Sequence, residues 1–228
     1  MPEEINRLAT DAISDLLLTP SRDGDENLRR EGHREKAIAF VGNCMIDSLQ
    51  KHVRRAKTLD VLQRLDVVAG KYACCTLHRP SNVDDPTLLA TLIGVISEIS
   101  AEIPVIFPVH PRTRKNLPAA LPKGIRLCEP FGYLEFLALT SQSALVMTDS
   151  GGLQEETTVL GVPCLTLREN TERPVTVTEG TNTIVGTDPE RIRQEARRVL
   201  AGNGKKGRIP EGWDGKAAVR VIDAIERF

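Results

Sequence analysis

No apolar run in the 228 residues approaches the roughly 20 that a membrane-spanning helix requires. The opening Met1-Pro2-Glu3-Glu4 is acidic rather than a basic segment ahead of an apolar core, so it does not read as a secretory leader. Charge of one sign is lacking too: 30 Lys and Arg against 31 Asp and Glu leave a formal net charge of −1. That balance gives no electrostatic basis for a nucleic-acid or membrane partner. The five cysteines, Cys44, Cys74, Cys75, Cys128 and Cys164, form no C-x-x-C pair. Their odd number, and the apolar runs that hold most of them, point to reduced structural thiols rather than disulfides or metal ligands. No internal repeat or low-complexity tract stands out. The one literal G-x-G-x-x-G, Gly202-Asn203-Gly204-Lys205-Lys206-Gly207, follows a helical pattern and no strand, so it reads as a loop between the last two helices. What remains is a soluble, cytoplasmic globular protein, 40% hydrophobic and 27% charged.

The most informative stretch is Thr148-Asp149-Ser150-Gly151-Gly152-Leu153-Gln154-Glu155-Glu156. An apolar run, Ala144-Leu145-Val146-Met147, leads into a serine and two glycines, and a helical pattern then begins. A strand, a tight turn and a helix N-terminus are expected. The first-turn N–H groups of such a helix point outward with the positive end of its dipole, and glycine lets an anion approach the backbone. With no lysine in the turn it is not a Walker loop. Local spacing alone leaves two readings open, a phosphate cradle and an ordinary βα turn with a serine cap.

Short β-rich runs at 72–77, 104–109, 125–128, 144–148 and 163–167 alternate with helical stretches near 86–100, 133–140, 152–160 and 188–200. Such alternation predicts an α/β fold, a Rossmann-like parallel sheet with helices on both faces. Ligands of these folds sit beyond the carboxyl ends of the strands. His78, His110, Pro130, Ser150 and Arg168 each fall just after a predicted strand, which suggests one shared site. Ahead of this block, apolar residues Ile5, Leu8, Ala9, Ala12 and Ile13 predict an amphipathic helix over 3–14. A short strand over 15–20, a helix capped by Ser21 and ended by Gly32, a strand within 36–43 and a helix from Asp47 to Leu65 follow. The last segment, 216–228, carries Ala217, Ala218, Val221, Ile222 and Ile225 on one helical face, part of which is expected to be exposed.

Several motifs, in order, resemble the UDP-N-acetylglucosamine 2-epimerase family of the non-hydrolysing type. They are Pro2-Glu3-Glu4-Ile5-Asn6-Arg7, Thr76-Leu77-His78-Arg79, His110-Pro111-Arg112-Thr113, Pro130-Phe131-Gly132-Tyr133-Leu134 and the run from Thr148 to Gly186, with Asn170-Thr171-Glu172-Arg173-Pro174 inside it. The resemblance implies a GT-B-like architecture, in which two Rossmann-like lobes close on a nucleotide sugar. On this reading, residues 1–36 are a helix–strand–helix remnant of the amino-terminal lobe and residues 37–215 are the carboxy-terminal nucleotide lobe. Residues 216–228 are a terminal helix packing back toward the first lobe, most of which has no counterpart here.

The reaction implied is interconversion of UDP-N-acetylglucosamine and its mannosamine epimer by elimination and re-addition of UDP, in cell-surface polysaccharide biosynthesis, with no metal or other cofactor. A homodimer, and a separate chain carrying the missing lobe, are the partners it suggests, with impaired turnover by this chain alone. The alternatives are a nucleotide-sugar-binding remnant or partner subunit without catalysis, and a GT-B glycosyltransferase lobe.

Site residues follow by position. Ser150, Gly151 and Gly152 would hold the diphosphate, and Glu156 the ribose hydroxyls, because a carboxylate pairs two acceptor oxygens with a vicinal diol; Glu155 is expected to face elsewhere. His78 and Arg79 would stabilise charge on the departing UDP. Phe131 and Phe136 flank Tyr133 on the segment that would hold the uracil through backbone hydrogen bonds and an aromatic face; a small apolar cluster beneath the loop is the other reading, nearly as good for Phe131. Arg173 would line the nucleotide pocket. Glu3 would take part in proton transfer, although proline followed by acids also suits a plain helix N-terminus. One departure is plain: the family commonly reads His-Arg-x-Glu-Asn, whereas this chain has His78-Arg79-Pro80-Ser81-Asn82.

Overall fold

The structure, a computed structural model, describes residues 2–118, 121 and 123–228, the side chains of Pro2 and Glu3 excepted. The chain divides into two compact units, residues 49–209 and residues 1–48 with 210–228.

Six parallel strands make the sheet of the larger unit: β3 (Ala73–Thr76), β4 (Val105–Pro108), β5 (Ile125–Cys128), β6 (Leu145–Thr148), β7 (Cys164–Thr166) and β8 (Asn182–Ile184), in the order β5-β4-β3-β6-β7-β8. β3, β4, β6 and β7 are buried nearly throughout, as strands covered on both faces must be. The twofold alternation of side chains divides them between two cores. Ala73, Cys75, Val105, Phe107, Leu145 and Met147 pack with Leu89, Leu92, Ile96 and Ile192 on one face. Tyr72, Cys74, Ile106, Val146 and Cys164 pack with Leu49, Leu137, Leu139 and Leu153 on the other. Adjacent Cys74 and Cys75 therefore point apart, and all five thiols are unpaired. Burial pushes the Cys164 thiol up to about 12, which makes it an inert core group.

Local chemistry sets the helix boundaries. Asp85 and Asp188 each precede a proline at the first helical position, and each carboxylate accepts first-turn amides: Thr87 N–H at 2.8 Å for Asp85, Glu190 N–H at 3.0 Å for Asp188. Helices Pro86–Ser100 and Pro189–Arg198 follow. Gly161, at φ 71°, stops the helix Gly151–Leu160 with a left-handed cap.

The smaller unit holds the parallel pair β1 (Leu17–Thr19) and β2 (Ile38–Phe40) with helices Pro2–Ile13, Arg22–Arg30 and Ala217–Arg227. Trp213 is buried there and donates its indole N–H to the Pro20 carbonyl at 2.9 Å. Asp47 caps the last helix from a distant part of the chain, accepting the Ala217 and Ala218 amides at 3.0 and 2.7 Å. Val219, Ile222 and Ile225 are exposed on that helix.

Several expectations change. β2 pairs with β1, residues 37–48 group with the amino-terminal segment, and the divisions between the two compact units fall at 48/49 and 209/210. The helix expected over 47–65 is two, Cys44–Ala56 and Val61–Arg64. Ser21 stands at the N-cap position, but its side chain makes no cap hydrogen bond. β8 was not predicted: Asn182-Thr183-Ile184 is too short and polar to show a strand pattern.

Candidate functional site

Chain order reverses in the sheet between β3 and β6. From β3 the chain runs outward through β4 and β5, then returns to place β6 on the other side of β3. In an open α/β sheet the crevice beyond the carboxyl ends of such a strand pair is where ligands bind. Thr76 and Thr148 are in register at those ends, with their hydroxyls 2.7 Å apart, and the Ser150 amide donates to the Thr148 hydroxyl at 3.0 Å.

Asp149, immediately beyond β6, is the centre of the crevice floor. Its carboxylate is fully buried and lies 2.9 Å from His78 Nδ1. It also accepts the His78 amide at 3.0 Å, the Arg79 amide at 2.9 Å and the Asn82 side-chain amide at 3.3 Å. One carboxylate thus ties the turn after β3 to the turn after β6. A carboxylate only accepts, so His78 Nδ1 carries the proton and Nε2 is left for chemistry. The ring of His110, N-cap of the short helix Pro111–Arg114, lies with its centroid 6.4 Å from that of His78.

Ser150 is the N-cap of the helix Gly151–Leu160, and its side chain makes no cap hydrogen bond. The helix dipole and first-turn amides therefore face the crevice beside His78 with the serine hydroxyl uncommitted. Glu172 stands against this helix start. A Cβ built at Gly151 would lie 3.8 Å from Glu172 Oε2. Arg168 Nη2 is 2.8 Å and Arg79 Nη2 3.7 Å from the same carboxylate, which these neighbours, Arg168 foremost, hold below the usual carboxylate range.

Deeper along the helix, Glu155 and Glu156 are both buried. Glu155 pairs with Arg173 Nε at 2.8 Å. Burial, with a smaller contribution from Glu155, raises the Glu156 pKa above the usual carboxylate value, against the lowering influence of the nearby Tyr133 hydroxyl. The same surroundings push Tyr133 up to about 12. Gln154, fully buried, accepts from the Thr171 hydroxyl at 2.5 Å and from the Asn182 amide at 3.2 Å, which pins the 170–174 loop to the helix and to β8.

A family model described as UDP-N-acetylglucosamine 2-epimerase matches residues 1–226. The chain belongs to that family. It is 40% identical over 235 residues to the UDP-N-acetylglucosamine 2-epimerase of Methanococcus maripaludis, covering 97% of this chain and 64% of the relative. It therefore spans less than two thirds of that protein's length. The crystal structure of the Methanocaldococcus jannaschii UDP-GlcNAc 2-epimerase in complex with UDP-GlcNAc and UDP is 39% identical, with a TM-score of 0.84 over 98% of this chain and 65% of that one. The Neisseria meningitidis UDP-GlcNAc 2-epimerase bound to UDP-GlcNAc is 27% identical, with a TM-score of 0.87 over 100% of this chain and 65% of that one. The α/β fold with its parallel sheet is thus that of epimerases with a GT-B-like architecture.

Within this epimerase-family fold, His78, Arg79, Ser150, Gly151 and Gly152 stand on adjoining turns, tied through Asp149. Glu156 and Arg173 lie one step away along the same helix and loop, Arg173 through its bond to Glu155. Phe131 and Phe136 are half-buried and pack against the second core cluster, the arrangement expected of an apolar cluster beneath the loop. Ser81 is exposed on the short helix Pro80–Val83. The Glu3 side chain lies outside the described residues. Among the described residues no group of three or more His, Cys, Asp or Glu side chains could hold a metal ion, and no helix is long and apolar enough to cross a membrane.

Arg168 is among the residues that sequence places beyond a strand end, whereas Asp149 and Glu172 receive no role from sequence. Their signal was position: each lies in a turn beyond a strand's carboxyl end. Glu155 was expected to face elsewhere; it is turned inward and paired with Arg173. Gly180 shows how closely the loop is fitted, since a Cβ there would lie 2.2 Å from the Thr158 hydroxyl oxygen and 2.6 Å from the Thr176 carbonyl. Gly180→Ala is expected to cost about 1–3 kcal/mol through overpacking. Urea unfolding checks this, as a lower midpoint with an unchanged slope.

Proposed function

We propose that this chain serves the interconversion of UDP-N-acetylglucosamine and UDP-N-acetylmannosamine, in the cytoplasm and in support of cell-surface polysaccharide synthesis. The C2 proton leaves, the C1–O bond to UDP breaks, and UDP re-adds to the resulting glycal as a proton returns to C2 on the opposite face. The observation that carries this reading is the His78–Asp149 pair beside the Gly151 helix start. A fixed, cationic-capable group adjoins a preformed anion site, as a departing diphosphate needs.

In this reading the Ser150, Gly151 and Gly152 backbone and the helix dipole hold the diphosphate. Glu156 accepts the ribose hydroxyls, and Arg173 lines the nucleotide pocket. His78 Nε2 faces the leaving group, with Arg79 adding charge, while Asp149 fixes the ring. Phe131 and Phe136 flank the uracil, Glu3 shares in proton transfer, and the working form is a homodimer. Support comes from membership of the family and from the identity to named epimerases.

The test is NMR of the purified chain with UDP-N-acetylglucosamine in D2O. Binding of UDP with slow, impaired formation of the mannosamine epimer, carrying deuterium at C2, is the expected result. UDP binding without exchange would show a nucleotide-binding chain that does not carry the proton-transfer step by itself, and loss of both would sink the reading.

A further inference from the structure

Three guanidinium groups, those of Arg79, Arg168 and Arg173, surround Glu172, and the reading above leaves this carboxylate without a role. Its place is specific. It touches the start of the Gly151 helix, where an incoming diphosphate would sit, with Oε2 3.8 Å from a Cβ built at Gly151. It does not exhaust the donors around it: Arg79 Nε and Arg168 Nη1 are buried with no hydrogen-bond partner. Buried donors of this kind are costly unless something fills them. A carboxylate offers two oxygens and one charge. A diphosphate offers more of both, and arginine's planar fork suits it.

The two partners differ in exposure. The Arg168 side chain is 14% exposed, whereas that of Glu172 is 42% exposed and sits on the loop before the helix Pro174–Thr178. The arginine is the more enclosed of the two and the glutamate the more open to solvent.

We propose that Glu172 is a resident counter-ion of the anion cradle, exchanged for the nucleotide's diphosphate on binding, and that Arg168 passes from Glu172 to the ligand. This rests on reading Ser150–Gly152 as the diphosphate site. Without nucleotide the carboxylate balances the charge of Arg168 and Arg79 and lies beside the helix start. When the diphosphate arrives, the ion pair to Arg168 opens and the arginine's donors turn to phosphate oxygens. The Glu172 side of the pair is open to solvent, so its carboxylate regains water when the pair opens and the exchange is reversible. Glu172 would then limit affinity for free UDP and for other small phosphates.

Isothermal titration of the full chain with UDP, and separately with inorganic pyrophosphate, tests this. Glu172→Gln keeps shape and removes charge, so it should bind both probes about threefold to tenfold more tightly, the size expected for losing one exposed competitor. Glu172→Ala should move the same way, which covers an accident of the glutamine. Arg168→Gln should bind both probes at least about tenfold more weakly, as loss of a charge-assisted contact. In the double variant the gain from Glu172→Gln should shrink, because the groups are coupled. Melting temperatures establish that each variant is folded.

Gly151→Asp separates the two readings by placing a charge in the cradle. If it leaves UDP affinity unchanged, or if the wild type binds neither probe, the cradle reading fails and takes the exchange with it. If Gly151→Asp abolishes binding while Glu172→Gln and Glu172→Ala bind UDP no better than wild type, the cradle stands and the exchange is overturned. Tighter binding by the Glu172 variants with Arg168→Gln at wild-type affinity would overturn the transfer to Arg168.

Discussion

Asp149→Asn is expected to slow exchange at C2 of UDP-N-acetylglucosamine by about 100- to 10,000-fold, the range spanned by positioned acid–base groups. The wild-type carboxylate accepts two backbone amides, the Asn82 side chain and His78 Nδ1. An asparagine has one acceptor oxygen and brings an NH2 group into a place where every neighbour donates. If the oxygen stays with the backbone amides, the NH2 faces His78. The ring must then accept at Nδ1, and it loses the carboxylate that stabilises a doubly protonated, cationic imidazole facing the departing diphosphate. The fold is expected to lose about 1–3 kcal/mol as well, because buried donors lose their partner.

Two readouts separate the chemistry from the fold. Nitrogen NMR of the His78 ring should report the tautomer change in folded protein, and UDP titration should give an affinity close to wild type. Exchange within threefold of wild type in a folded variant would show that Asp149 is only a structural tie.

That a residue this central was passed over marks the boundary of what the sequence discloses. Alternating apolar runs with capped, proline-initiated helices made the parallel sheet legible, because each strand is buried on both faces and each helix start carries its own chemistry. The helices at 86–100 and 133–140 fall where periodicity put them, and the 125–128 strand likewise. The strand, tight turn and helix start around Ser150-Gly151-Gly152 were legible because their signal is local. Asp149 was not: its meaning depends on His78, 71 positions earlier, and only the pairing of β3 with β6 brings the two together.

Neighbouring glutamates show the same limit. Helical spacing places Glu156 one turn beyond Gly152, yet it cannot tell that Glu155 is buried too, because the partner that makes this tolerable, Arg173, comes from a separate loop. Glu172 reads as an ordinary loop charge until the fold sets it against Gly151. β8 escaped for another reason: Asn182 is a polar residue at a buried strand position, and its bonds to Gln154, Thr166 and Thr176 replace the apolar contacts that make strands recognisable.

Glu156→Gln is expected to act in opposite directions on stability and on binding. Burial is the chief cause that raises the Glu156 pKa, ahead of the Tyr133 hydrogen bond that lowers it and the repulsion from Glu155. The folded protein therefore holds this proton more tightly than the unfolded chain, whose value is near 4.5. The contribution of Glu156 to stability is fully present below that unfolded value and is lost as the pH rises through the raised folded one. Above that raised value the wild type carries a buried charge, which glutamine removes while keeping an acceptor oxygen. The variant should then be more stable by about 1 kcal/mol, or about 2–4 °C in melting temperature. The gap should close as the pH is lowered below 4.5, where the wild-type carboxyl is neutral as well. For binding the sign reverses. A ribose diol bonded to a carboxylate makes two charge-assisted hydrogen bonds, and glutamine can match only one of the acceptors. UDP affinity should fall by about 10- to 100-fold. Paired melting curves across pH and UDP titrations at neutral pH test both halves. A variant less stable than wild type at neutral pH would contradict the burial account, and unchanged UDP affinity would remove Glu156 from the ribose. Both effects together would mean that the protein tolerates a destabilising buried carboxylate because the nucleotide requires it.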